Sequence, residues 1–368
     1  MASHPSAAVL TWAKPSPSIA TGSEDTLDYD IAIVGGGVVG LTLAAALKPS
    51  GLRILVIEAQ RQVEAIAKGQ AYAIHLGSSR ILAQIGVWAA IEPQVEYFNR
   101  VRLSDADDPR VVEFDPSDLN SKVLGYVAEH RVLLSELLAF VNTCPNVTWH
   151  CPAQVAATRV YPSHVAVDIQ PLADDDAPQQ TVRVRLAIAA DGSRSPLRQQ
   201  AAIKTRGKAY WQSCVVATIQ TEKSHHHTAY ERFWPSGPFA ILPISAHRCR
   251  IVWTAPHAEA KALLDLDDAA FIEQLTQRYG HQMGQLALVG DRFAFPAKLM
   301  HACEYVRSRL ALVGDAAHSC HPVGGQGLNL GIRDVGTLAQ VLQAAQARGE
   351  DLGSLRVLRR YQRWRRWQ

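Results

Sequence analysis

Two hydrophobic periods alternate along the chain. From Asp30 to Ala59, "DIAIVGGGVVGLTLAAALKPSGLRILVIEA" sets an apolar run of β-formers (Ile31, Ile33, Val34), a glycine turn, a buried helix ended by Pro49 and Gly51, and a second apolar run. Gln70 to Trp88 predicts a turn and a helix closing at Gly86. "EHRVLLSELLAFVNTC" predicts an amphipathic helix from about Arg131. After Cys151 the period becomes two. "PAQVAATRVYPSHVAVDIQP" and "TVRVRLAIAADG" read as antiparallel strands joined by the hairpin loop "LADDDAPQQ". "SCVVATIQT", "FAILPIS" and "CRIVWTA" predict further strands, followed by a helix near Ala269–Tyr279, a strand "LALVGD" ending at Asp315, and a last helix behind a glycine cluster.

The pattern is mixed α/β: a parallel unit interrupted by a mostly antiparallel sheet, with the chain returning to the first unit near residue 305. The expected division is 29–97, 125–205 and 300–345 for the first unit and 98–124 with 206–299 for the second. Residues 1–28, rich in Ser, Pro, Ala and Thr, are expected to form a disordered extension. Residues 346–368 are expected to form a C-terminal helix that stops without a cap, as if cut short. Its "LRRYQRWRRWQ" suits either a solvated helix with buried aromatics or a surface that meets anionic lipid.

With 368 residues, 48% of them hydrophobic, the chain can bury a sizeable core. A formal charge of only +3 argues against nucleic acid as a partner. The six scattered cysteines contain no CxxC pair and read as free thiols of a reducing, cytoplasmic compartment. No apolar run reaches the roughly 18 residues of a membrane span, and neither a secretory nor a transit peptide is evident.

Three motifs carry chemistry. Gly35-x-Gly37-x-x-Gly40 follows a strand and opens a helix. Such a turn lets backbone approach a pyrophosphate at a helix N-terminus. Glu58, at the end of the next strand, has the position and charge to accept hydrogen bonds from ribose hydroxyls. "AADGSRSPLR" delivers Asp191 into a turn, with Arg194 and Arg198 facing either phosphate or solvent. In "LALVGDAAHSCHPVGGQGLNLGIRDVGTLA", Asp315 ends a strand where it can bind a polyol chain, and Gly324, Gly325 and Gly327 open a helix whose positive end suits a flat, electron-rich ring. Together these suit a flavin dinucleotide. His318, Cys320 and His321 fit no common zinc spacing, and no metal site is expected. His225–His227 reads as a solvated loop. No GxSxG elbow is present.

These motifs resemble the single-component FAD aromatic hydroxylases, in particular the ubiquinone-biosynthesis hydroxylase family, from about Tyr29 onward. The resemblance implies a Rossmann-like FAD-binding domain of the glutathione-reductase type with an interleaved antiparallel substrate domain. It implies FAD contacts by Gly35, Gly37, Val38, Val39, Gly40, Glu58, Ala59, Arg131, Val155, Asp191, Gly314, Asp315, Pro322, Gly325, Gln326, Gly327, Leu328 and Asn329. Of these, Asp315 would meet the ribityl chain, Pro322 to Asn329 would line the isoalloxazine, and Arg131 would reach the cofactor from the side. Val155 would offer backbone to the adenine. Pro322 and Gly325 would lie nearest the reacting face, and no side-chain acid or base is evident.

The implied reaction is monooxygenation of an aromatic ring by O₂ through a flavin C4a-hydroperoxide, with NAD(P)H or a protein reductant as electron donor. The implied substrate is a polyprenylated phenol of quinone biosynthesis, with a peripheral visit to the membrane. The family often carries Arg where this chain has Gln70, and usually continues further at its C-terminus. Two other readings stand beside this one: a flavin oxidoreductase of the same fold acting on an isoprenoid or soluble aromatic, and a non-catalytic flavoprotein subunit. A long apolar lining on the antiparallel sheet would favour a prenyl tail, and a small polar pocket a soluble phenol. Nothing in the sequence specifies the oligomeric state.

Overall fold

A computed structural model describes residues 10–11, 26–66, 69–106, 108–173, 178–245 and 247–367. Of the expected N-terminal extension, only Leu10–Thr11, a two-residue strand beside Arg159–Val160, and residues 26–28 fall among these.

One sheet contains the parallel strands Tyr29–Val34, Ile54–Ile57 and Val147–His150. Its central strand, Gln180–Ala189, runs parallel to Tyr29–Val34 on one side. Along its other side it pairs first antiparallel with Val165–Pro171 and then parallel with Leu310–Leu312. One strand thus serves both the hairpin meander and the parallel core, which is how the chain leaves the unit and returns to it. Its burial follows: alternating over the antiparallel half, continuous over Leu186–Ala189, where parallel strands flank it. Helix Val38–Ala46 packs between helices His130–Asn142 and Gln326–Ala347.

The second sheet runs in the order His318–Ser319, Leu286–Ala302, Thr205–Thr221, Arg248–Pro256, Gly237–Ser245, Thr228–Trp234, Arg100–Asp105, Val111–Phe114. Period-two alternation gives it two faces. Phe239, Ile241, Ile251 and Trp253 pack against helices His257–Asp265 and Asp268–Tyr279, while Ala240, Leu242 and Val252 face a cavity. The last strand, Val111–Phe114, is exposed at all four residues and pairs with Arg100–Asp105 at the end of the sheet. A three-stranded sheet of Ala71–His75, Gly125–Glu129 and Glu96–Phe98 lies between the two larger ones in the chain's path.

Several expectations are corrected. Ala71–His75 is a strand, not a turn, and the helix begins only at Leu76. His225 is buried, with Nε2 2.5 Å from the Ser245 carbonyl, and His227 Nδ1 lies 2.8 Å from Glu96 Oε1. The tripeptide is therefore not a wholly solvated loop: His225 is buried, His227 is half-buried against Glu96, and His226 is exposed. In the C-terminal helix Leu355–Trp367, Tyr361 is fully buried and donates to the Leu312 carbonyl at 2.8 Å, whereas Trp364 is 62% exposed. Arg365, one of a run of charges that reads as solvated, is buried: its Nε donates to Asp334 Oδ1 at 2.6 Å. The six cysteines are free thiols.

Candidate active site

The glycine turn has two sealed positions and one open one. Gly35 adopts φ +109°, and a Cβ there would lie 2.3 Å from the Ala190 carbonyl oxygen. A Cβ on Gly40 would lie 1.9 Å from the Gly35 oxygen, whereas nothing stands within 4 Å of the position a Gly37 Cβ would take. Gly37 caps the helix without a side chain, and the first helical amides have no carbonyl a turn earlier to bind. Gly37, Val38 and Val39 line the cavity. Glu58 Oε2 accepts from the Gly36 amide at 2.6 Å and Oε1 from the Gln60 amide at 2.7 Å, so this carboxylate also holds the turn. Ala59 is exposed beside it, and the Ala153 amide, two residues before the buried Val155, donates to the Glu58 carbonyl at 2.8 Å. Arg131 is exposed and donates to Glu129 Oε2 at 2.7 Å. It does not line the cavity.

Two carboxyls with raised pKa values mark the far end of this unit. Asp315 follows Gly314 (φ +58°) and lines the cavity; burial lifts its pKa above the ordinary range against the pull of the His318 and Lys298 charges. Asp191 is also raised by burial, offset by hydrogen bonds from Ser195 and the Leu197 amide. Its Oδ1 is buried without a partner. Arg198 meets neither phosphate nor solvent. It is buried and donates to the Ala316 carbonyl at 2.8 Å and the Ser193 carbonyl at 2.9 Å, riveting the two acid-bearing turns together.

At the glycine cluster, Gly324 and Gly325 take φ +66° and +61°, and a Cβ on Gly325 would meet the Ala73 Cβ at 2.9 Å. The following helix starts on Gly325 with no side-chain cap. Pro322, Gly324, Gly325, Gly327 and Leu328 line the cavity. Gln326 is exposed, and Asn329 is fully buried behind the loop. Asn329 donates to the Ala73 and Gly325 carbonyls at 2.7 and 2.8 Å and accepts from the His75 amide at 2.9 Å. It pins the loop to the strand and does not itself line the cavity. Behind it, Asp334 accepts from the Gly314 amide (2.8 Å), Arg365 (2.6 Å) and His318 Nε2 (2.7 Å). His318 is thus committed to a carboxylate, and among the described residues no cluster suits a metal ion.

The two helix starts converge on one cavity of about 700 Å³. It extends from the glycine loops onto the second sheet, where Phe98, Val101, Leu124, Val216, Leu242, Val252, Phe293 and Phe295 line it. It reaches the surface past Phe114 and Leu119, which are 42% and 58% exposed. Polar side chains are few. Tyr72 donates to Gln70 Oε1 at 2.7 Å, and burial pushes its hydroxyl pKa well up. Gln70 thus supplies an acceptor where the family often places a charge. His75, lowered by burial, bonds the Gly324 carbonyl through Nε2 at 3.0 Å. Glu231 projects from the sheet, its pKa raised by burial and drawn back by the Gly324 amide. Tyr72 and Glu231 went unrecognised in the sequence, and Arg198 and Arg365 were noticed there without their burial. The one available signal was a lone acid among inward positions of "TAYERFW".

The residues present fit a flavin dinucleotide. Two uncapped helix starts suit anionic groups, an open approach at Gly37 admits a pyrophosphate, and the buried, unpartnered Ser319 Oγ belongs to a residue that lines the cavity, with Asp191 Oδ1, also unpartnered, between lining residues Ala190 and Gly192. Residues 28–366 match the family described as FAD binding domain, and the chain belongs to that family. It is an FAD-dependent monooxygenase with the fold of the aromatic hydroxylases. Its fold is similar to that of PqsL from Pseudomonas aeruginosa (TM-score 0.78, 21% identity, 92% of this chain and 91% of that one). It is also similar to that of p-nitrophenol 4-monooxygenase PnpA from Pseudomonas putida (TM-score 0.75, 22% identity, 92% and 84%).

Among curated proteins it is 48% identical over 338 residues to the uncharacterised slr1300 of Synechocystis, covering 92% of this chain and 81% of that protein. It is 38% identical over 349 residues to the ubiquinone hydroxylase UbiL of Rhodospirillum rubrum (94% and 79%). To the 3-demethoxyubiquinol 3-hydroxylase of Escherichia coli it is 35% identical over 338 residues (90% and 84%).

Proposed function

We propose that this protein hydroxylates the ring of a polyprenylated phenol on the way to a quinone, using O₂ and electrons from NAD(P)H or a protein reductant. The observation that carries the reading is the continuity of the cavity: the glycine-loop end that suits a flavin ring opens directly onto an apolar lining, the chemistry that an isoprenoid tail would meet. FAD, once bound and reduced, supplies the chemistry of oxygen activation. The chain's own residues bind, orient and exclude water. Gly35, Gly37, Val38, Val39 and Gly40 would hold the pyrophosphate; Glu58, Ala59 and Val155 would meet the adenosine, and Arg131 would reach the cofactor from the side. Asp315, with Asp191 and Gly314, would hold the ribityl chain, and Pro322 to Leu328 the ring. Phe293, Phe295 and Val252 add to the apolar wall of the same cavity, where a tail would lie.

The lip of the cavity supports a membrane visit. Val111, Val112, Phe114 and Leu119 are 41%, 56%, 42% and 58% exposed, and the last two continue into the cavity. A lipid-tailed substrate would pass from bilayer to cavity without crossing water. The test is turnover with isotopically labelled O₂. Prenylated phenols should speed reoxidation of the reduced holoenzyme and gain one labelled oxygen. A holoenzyme that reoxidises at one rate with every phenol offered, giving only peroxide, would refute the reading and favour a non-catalytic flavoprotein.

A further inference from the structure

The register of the second sheet lays one row of residues across six strands. Leu103 opposes Glu231, Glu231 opposes Ala240, Ala240 opposes Val252, Val252 opposes Val216, and Val216 opposes Phe293. Side chains opposite one another share a face. From Glu231 to Phe293 this row lines the cavity. Its one ionisable member is Glu231. Glu231 shares this cavity with Pro322, Gly324 and Gly325 of the glycine loop, and the Gly324 amide is close enough to draw its raised pKa back. An acid standing alone in an apolar row of the cavity wall has lone pairs free to accept a hydrogen bond from what the cavity holds. An apolar tail has no use for it. A ring hydroxyl does.

Building on the ring hydroxylation proposed above, we propose that Glu231 accepts a hydrogen bond from the hydroxyl of the substrate ring. It thereby selects a phenol over its ether and fixes which ring carbon faces the Pro322–Gly325 loop. It is a positioning residue for the aromatic head. Burial holds its pKa above the usual carboxylate range, so the ionised form, the stronger acceptor, is gained as pH rises through that value.

The test uses FAD-loaded protein and two probes, an ortho-prenylated phenol and its methyl ether, with binding read from the flavin absorbance change. The wild type should bind the phenol about ten- to hundredfold more tightly than the ether, the range of one hydrogen bond to a charged group. Glu231→Leu should abolish the preference. Glu231→Gln, which keeps a carbonyl acceptor, should restore part of it and flatten the rise of phenol affinity with pH. A wild-type phenol-to-ether ratio in Glu231→Leu would overturn the proposal. So would a Glu231→Leu that loses FAD or stability while the ratio in Glu231→Gln, including its pH dependence, stays that of the wild type, since the residue would then only anchor Gly324. If neither probe binds the wild-type holoenzyme, the substrate reading fails first and takes this inference with it.

Discussion

Arg365 offers the sharpest test of how the C-terminal helix serves the site. Asp334 is wholly buried, and its three donors come from three parts of the chain: the Gly314 amide, His318 and Arg365. The Arg365 side chain is only 3% exposed. Arg365→Met keeps most of the volume but leaves Asp334 short of its main compensating charge, a change that costs about 3–5 kcal/mol at buried pairs. The assay is urea unfolding of wild type, Arg365→Met, Asp334→Asn and the double variant. The double variant should recover at least ~1 kcal/mol relative to the sum of the singles, because the two groups share one interaction. Trp364→Ala, one residue away but exposed, should lie within about 0.5 kcal/mol of wild type. Because Asp334 also holds the Gly314 amide, next to Asp315, FAD affinity should fall with stability. An Arg365→Met cost below about 1 kcal/mol would refute the reasoning.

Gly40→Ala forces a Cβ to 1.9 Å from the Gly35 oxygen and should yield protein that no longer retains FAD on gel filtration; Gly51→Ala, with φ +68° but open space, should cost only about 1 kcal/mol and keep the cofactor. Asp191 and Asp315 are both raised by burial, so each favours the folded state fully below the ordinary carboxylate pKa, and that contribution is lost as pH rises through the raised value. Subtracting the melts of Asp191→Asn/Asp315→Asn from those of wild-type apoprotein across acid pH should expose this downward slope, and a flat or rising difference would contradict it. Val252→Phe should leave FAD content unchanged yet raise KM for long-tailed phenols about tenfold, the effect of losing ~1.4 kcal/mol of tail burial; steady-state kinetics with short and long tails decides it.

Much of this was legible where backbone geometry forces residue choice. Gly35 and Gly40 admit no Cβ, so their spacing announced the turn, and Asp315 was placed by the strand it ends. Period-two alternation found Gly237–Ser245 and Arg248–Pro256 because one face meets helices and the other the cavity. It missed Leu286–Ala302, whose irregular burial erases the alternation, and Ala71–His75, too short to show a period before the helix begins. The buried charges were illegible for another reason. Arg198 and Arg365 are neutralised or hydrogen-bonded by groups about 118 and 31 residues away in sequence, and a guanidinium carries no local mark of such a partner. Asn329 sat inside the right motif, but only its contacts with Ala73 and His75 separate a rivet from a lining residue.

The strand Val111–Phe114 carries a colloidal consequence. Among the described residues its outer edge ends the sheet, and its two valines and its phenylalanine stand exposed. An open, apolar strand edge is a template for pairing with another chain. Away from lipid, this protein should self-associate through that edge as its concentration rises, and mild detergent or Val112→Lys should keep it dispersed.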